Sequence, residues 1–146
     1  MSVIRLEQIG PENWRTGLSV REDQRDFVAA PDRILARAWA YRELSSRTFM
    51  ITIDGEPAGM ALYYDCPELE AYDLSQLFID ERFQGRGYGK KAAELLIETM
   101  KKEHRFDRIV LCYKEGNEAA EKMYLDLGFV HTGERDLDEI IMEKQI

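Results

Sequence analysis

The chain has 146 residues, 45% hydrophobic and 33% charged, with a formal net charge of −8. That length supports one domain with a real core, and the composition excludes the disordered, collagen-like and disulfide-rich classes. The acidic balance argues against nucleic-acid binding, which rests on cations that neutralise phosphates, and makes a cationic small molecule a plausible guest.

In chain order, "VIRLEQI" makes a first strand that Gly10-Pro11 ends. A helix is expected from Asn13 to about Val20. A second begins at Pro31, whose fixed backbone angle suits a first helical turn, and carries Ile34, Leu35, Ala38, Trp39 and Tyr41 to Leu44. "REDQRDFVAA" between them reads as a loop or short helix. "TFMITI", "DGEP" and "AGMALYY" form a hairpin with Asp54-Gly55 as its turn signal, and a further strand covers roughly Tyr72 to Ile79. After a glycine-rich segment, Ala92, Ala93, Leu96 and Met100 mark one face of a helix that ends in the cationic "KKEHR". "RIVLCY" has the continuous apolar character of an interior strand. "NEAAEKMYLDLGF" is a helix stopped by Gly128, and the tail gives strands at about Phe129 to Thr132 and Glu139 to Glu143. The expected order is β, α, α, β, β, β, α, β, α, β, β, without repeats or linkers: a single mixed α/β domain over residues 1–146.

No apolar stretch approaches bilayer length, and "MSVIRLEQIG" lacks the basic start and apolar core of a signal peptide, so a cytoplasmic location with no membrane partner is expected. Cys66 and Cys112 lie far apart with no paired-ligand spacing, and His104 and His131 sit near neither. No metal site or disulfide framework is expected, and both thiols read as half-buried and ordinary.

The segment "FQGRGYGKK" is unusual for a helix start. Four N–H donors lie unpaired at such an end, where Ser, Thr, Asp or Asn and first-turn acids are the usual remedy. Here no cap or acid occurs from Gln84 through Lys91, while Arg86, Lys90 and Lys91 add positive charge to the positive end of the dipole. Gly85, Gly87 and Gly89 let the backbone approach oxygen atoms closely. An anion site results, with a flexible turn whose cations face water as the alternative. Gly89-Lys90-Lys91 lacks the hydroxyl of a Walker loop, and a dinucleotide fingerprint would lie mid-chain without room for a doubly wound sheet.

Two motifs at this separation resemble the GNAT family of N-acetyltransferases. The pyrophosphate loop, Gln/Arg-x-x-Gly-x-Gly/Ala, is matched by Gln84-Gly85-Arg86-Gly87-Tyr88-Gly89. The second, Asn-x-x-Ala-x-x-(Leu/Met)-Tyr-x-x-x-Gly-Phe, is matched by Asn117, Ala120, Met123, Tyr124, Gly128 and Phe129. The resemblance implies a central, mostly antiparallel twisted sheet of about seven strands with about four flanking helices, and acetyl-CoA as cosubstrate. On it, backbone groups of Leu77, Phe78 and Ile79 pair with the pantetheine arm, and donors from Gln84 to Gly89 hold the pyrophosphate with Lys90 beside them. Asn117 reaches the pantetheine or caps its helix, and the small Ala120 leaves room beside the ring of Tyr124. Tyr124 protonates the departing thiolate; packing is its plain alternative.

The amine must also lose a proton before it attacks. The resemblance points to Asp73 as base, with Asp65, Glu68 and Tyr63 as rivals. "LSVREDQRDFVAAPDRILARAWAY" is similar to the matching segment of bacterial diamine and spermidine acetyltransferases, which implies Gln24, Phe27, Trp39 and Tyr41 around a small polyamine acceptor. "YYDCPELEAYD" offers further carboxylates and rings, with Tyr63 and Asp65 foremost, although a charged surface loop reads the same way. Acetylation of another amine (amino acid, aminoglycoside, protein lysine or N-terminus) and a non-catalytic acyl-CoA-binding module stay open. Many relatives form homodimers, which makes one possible here.

Overall fold

A computed structural model describes residues 1–15 and 17–146. β-branched and aromatic runs around the Asp54-Gly55 turn make β2 (Arg47–Ile53) and β3 (Glu56–Cys66) an antiparallel hairpin. β1 (Ile4–Gln8) pairs with the outer edge of β2, and β4 (Ala71–Ile79) with the inner edge of β3, both antiparallel. The chain then crosses through helix α2 (Tyr88–Glu103) to β5 (Arg108–Lys114), which runs parallel to β4. Helix α3 (Glu118–Asp126) leads to β6 (Val130–Asp136) and β7 (Glu139–Gln145), and β7 inserts between β5 and β6. The seven-stranded order is β1-β2-β3-β4-β5-β7-β6.

Three α-helices form among the described residues, with α1 spanning Pro31–Ala40. The helix expected over residues 13–20 is absent from the described part of that segment; Thr16 lies outside the described residues. Tertiary bonds explain the difference. The Ser19 N–H donates to Asp80 Oδ1 at 2.8 Å, and the Ser19 carbonyl accepts from the Glu81 N–H at 2.9 Å. Leu18 and Val20, two apart as in a strand, bury beside Ile34, Met50 and Phe78. Residues 42–44, at the end of the expected second helix, form a separate 3-10 turn.

The sheet buries apolar side chains on both faces. Tyr63, Tyr72, Ile109 and Leu111 meet α2 and α3 on one side, while Met50, Met60, Leu62 and Phe78 meet α1 and the chain before it on the other. Two irregularities shape the site. β4 and β5 pair only at Tyr72↔Ile109 and Asp73↔Val110, so the strands part beyond Asp73 and leave the β5-facing edge of residues 74–79 without a strand partner. In the β3–β4 ladder Leu62 faces Gln76 but Tyr63 faces Leu74, which makes Ser75 an extra, bulged residue at the fork. Beyond the bulge β3 and β4 press close: a Cβ on Gly59 would lie 2.2 Å from the Phe78 carbonyl oxygen. No helix among the described residues is long and apolar enough to cross a membrane.

Candidate active site

The glycine loop delivers α2 into the fork between β4 and β5. Gly85 and Gly87 adopt φ of 79° and 80°, a region that penalises side chains, and Gly87 stands where a capping side chain would be. No side chain caps α2 and its first turn holds no acid. Arg86, Lys90 and Lys91 take part in no salt bridge among the described residues, so no internal carboxylate satisfies this end. Free N–H groups, the dipole and unpaired cations together suit an anion such as a phosphate.

A cavity of about 450 Å³ lies against this loop, lined by Leu77, Phe78, Ile79, Gln84, Gly85, Gly87, Tyr88, Gly89, Asn117 and Ala120. Arg86 and Lys90 stand exposed at its rim rather than in its wall. The Gln84 amide donates to the Ile79 carbonyl at 2.7 Å and to Gln24 Oε1 at 2.8 Å. Gln24, expected around the acceptor, thus lies beside the glycine loop and lines this first cavity. Asn117 caps α3, its Oδ1 accepting from the Ala120 N–H at 3.3 Å, and borders the cavity as well, so its two readings coexist.

A second cavity, about 380 Å³, adjoins the first and shares Phe27, Val28, Leu77, Asn117 and Ala120 with it. Tyr124 and Asp73 both line it. Tyr124 is 8% exposed and sits edge-on to Phe129 at 5.4 Å. Burial raises its phenol, and its hydroxyl has no protein hydrogen-bond partner among the described residues. Asp73 is half-buried and pushed up to about 6 by burial, an effect that Arg37 opposes and Glu139 reinforces. The Arg37 guanidinium itself donates to the bulged Ser75 at 3.0 Å. The phenol thus stays protonated at neutral pH while the carboxyl titrates close to it, so one cavity contains a group able to give a proton and a group able to take one.

Several expected acceptor residues lie elsewhere. Tyr63 and Asp65 are buried on the α2 side of the sheet, far from this cavity's lining. Asp65 accepts from Arg47 at 2.8 Å and from Arg105, and the Tyr63 hydroxyl donates to Glu103, which also pairs with Arg47. Burial opposes ionisation of Asp65, but the two guanidiniums hold its carboxyl below the usual range. Asp65 and Tyr63 are thus engaged in a structural ion network outside the second cavity's lining. Trp39 is 68% exposed under the Arg42 guanidinium and lines neither cavity. Glu68 projects from an exposed 3-10 turn. A larger open hollow of about 690 Å³ at the end of α2, around Lys101, His104 and Arg105, holds Glu70 of the "YYDCPELEAYD" carboxylates and neither Tyr124 nor Asp73. Phe27 and Tyr41 do reach the second cavity, Tyr41 stacked on Tyr64 at 4.3 Å.

The residues that sequence reading missed are Arg37, Cys112, Asp136 and Glu139, all in the wall of the second cavity. Cys112, expected half-buried, is exposed as a residue, while the protein packed around its thiol partly desolvates it and, with Glu139, Asp73 and Asp136, pushes it up to about 12. "RDLDEI" does hold the two new carboxylates at a turn, but only strand pairing shows where they point. No group of three or more His, Cys, Asp or Glu among the described residues could hold a metal ion.

Spermine/spermidine N(1)-acetyltransferase of Bacillus subtilis is 35% identical over 100 residues, 64% of this chain and 66% of that protein, just under two thirds. Spermidine N(1)-acetyltransferase of Escherichia coli is 29% identical over 90 residues, 62% of this chain and 48% of that protein. In fold, the chain resembles spermidine N-acetyltransferase from Vibrio cholerae, solved with CoA and spermine. The TM-score is 0.77 over 97% of this chain and 95% of that one, at 14% identity. Residues 11–129, which include the glycine loop, the forked strands and α3, match the acetyltransferase (GNAT) family, and the protein belongs to that family.

Proposed function

We propose that this protein is an acetyl-CoA-dependent N-acetyltransferase whose acceptor is a small polyamine. One observation carries the reading: the cavity at the uncapped α2 terminus opens, at Phe27, Leu77, Asn117 and Ala120, into the cavity that holds Tyr124 and Asp73. Coenzyme A offers a pyrophosphate for the helix end and an extended amide arm for the free edge of residues 77–79. Its thioester would then stand at the junction.

The residues of the second cavity fit the two proton transfers. An ammonium has no lone pair, so Asp73 takes one proton from it, directly or through water. As the new C–N bond forms and the C–S bond breaks, the Tyr124 phenol supplies a proton to the departing sulfur; the second proton that the nitrogen sheds restores the phenol, and Asp73 releases its own to solvent. Burial keeps that proton on the phenol until an anion develops beside it. The carboxylate and aromatic wall favours a cationic acceptor with apolar spacers. The 35% identity to a spermine/spermidine acetyltransferase supports the same acceptor class.

The test is a panel of amines with acetyl-CoA, read by thiol release: spermidine, putrescine, amino acids and peptides. Spermidine or putrescine should show the highest kcat/KM. A preference for peptides or amino acids would replace the acceptor, and coenzyme A binding without turnover on any amine would replace the enzyme by a binding module.

A further inference from the structure

We propose that the β6–β7 hairpin is the acceptor-selecting element: Glu139 and Asp136 hold the remote ammonium of the acceptor while Asp73 faces the amine that reacts. Amines with a second positive charge are thereby favoured over monoamines. This rests on the acetyltransferase reading and names the residues that set its acceptor choice.

Strand register places these groups together. Asp73 pairs with Val110, Lys114 with Glu139, and Glu139 with Asp136. Directly opposed residues share a face, and so do residues two apart. Asp73, Cys112, Glu139 and Asp136 therefore project from one side of the sheet, opposite the α2 and α3 packing formed by Ile109 and Leu111. All four line the second cavity.

Two independent observations show that this cavity is built for a ligand. Asp73, Asp136 and Glu139 enter no salt bridge among the described residues, although Arg37 and Lys114 line the same cavity. Tyr124, 8% exposed, turns into the same cavity a hydroxyl that no protein group among the described residues satisfies. The Cys112 thiol lies among these carboxylates: desolvation raises it most, and Glu139, Asp73 and Asp136 raise it further.

The carboxylates are also spread out. Among the described residues they do not converge as metal ligands would. Asp73 is level with Val110 of β5 and Glu139 with Lys114, so their backbones stand two strand spacings, about 10 Å, across the sheet and four residues, about 13 Å, along it. One ammonium cannot serve both positions. A polyamine can, with its methylene spacer lying along the aromatic wall of Phe27 and Tyr41.

Putrescine and butylamine differ by one ammonium and supply the test. The wild-type protein should favour putrescine at least tenfold in kcat/KM, and Glu139→Gln should cut that preference about tenfold, through KM for putrescine rather than kcat. Asp136→Asn with Glu139→Gln should bring the ratio close to one. A ratio unchanged by both variants, or an equal loss for both amines, overturns the proposal. Titration calorimetry of spermidine onto the coenzyme A-loaded protein tests the same clamp without turnover, with Kd expected to rise about tenfold in Glu139→Gln. If the wild type acetylates no amine, the acetyltransferase reading fails while calorimetry still decides the clamp. Coenzyme A affinity and Tm identify a misfolded variant; should the double variant misfold, Asp136→Asn alone must still weaken spermidine binding.

Discussion

Asp65 and Asp73 lie on neighbouring strands, one step apart in register: Tyr64 opposes Asp73 and Asp65 opposes Tyr72. That single step sends them to opposite faces of the sheet. Asp65 meets Arg47 and Arg105 and becomes a closed structural anchor whose carboxyl stays ionised well below its usual range. Asp73 enters a cavity where only Arg37 opposes its burial, and it titrates near 6. The two carboxylates, eight positions apart, thus differ in role because of what crosses the sheet to meet them. An acid with its valences filled holds the fold, and one left unpaired is free to exchange a proton.

The largest effect should come from breaking the paired member. Asp65→Ala leaves Arg47, only 17% exposed, with Glu103 as its one remaining carboxylate and strips Arg105 of its partner, and about 3 kcal/mol of stability should be lost. Urea unfolding measures it; turnover per folded molecule should persist, and a loss under about 1 kcal/mol would place the network among ordinary surface pairs. Next, Tyr124→Phe should lower kcat about a hundredfold while coenzyme A affinity holds, and equal turnover would end the acid role.

Asp73→Asn should lower kcat about tenfold at neutral pH and move the pH–rate profile to the alkaline side. In the wild type, turnover should climb as pH passes about 6 and the carboxylate ionises. Stability should respond with the opposite sign. A folded value of about 6 against an ordinary 3.8 means the Asp73 contribution is fully present below about pH 4 and lost as pH rises through 6. Above that window the Asn variant should melt higher than wild type, whereas a lower Tm would mean that the ionised carboxylate is stabilised in the fold. The smallest effect belongs to Arg86→Ala, which should raise the coenzyme A Kd about two- to fivefold and weaken its salt dependence. An unchanged Kd would show that backbone donors alone serve the anion.

The strands, the hairpin turn and the later helices were legible because their signals are local. Asp54-Gly55 sets a turn, alternating apolar residues set a strand, and an uncapped, acid-free start to α2 announces itself within eight residues. Those same contiguous residues make the glycine loop and the α3 motif readable as the two halves of one site. The helix expected at residues 13–20 failed because Asp80, some sixty positions away, claims the Ser19 N–H. Trp39, expected from the resemblance, and Tyr63 and Asp65, expected by type, fall outside the lining of the second cavity, the first by its exposure and the others by the sheet face they occupy.

Propensity, capping and backbone freedom act over a few residues, so the order of residues was enough for the elements and the glycine loop. Which acids are paired and which line the second cavity depends on the folded chain. Strand parity, the bulge at Ser75 and the insertion of β7 beside β5 are long-range pairings, and they bring Asp136 and Glu139 to Asp73 from the far end of the chain.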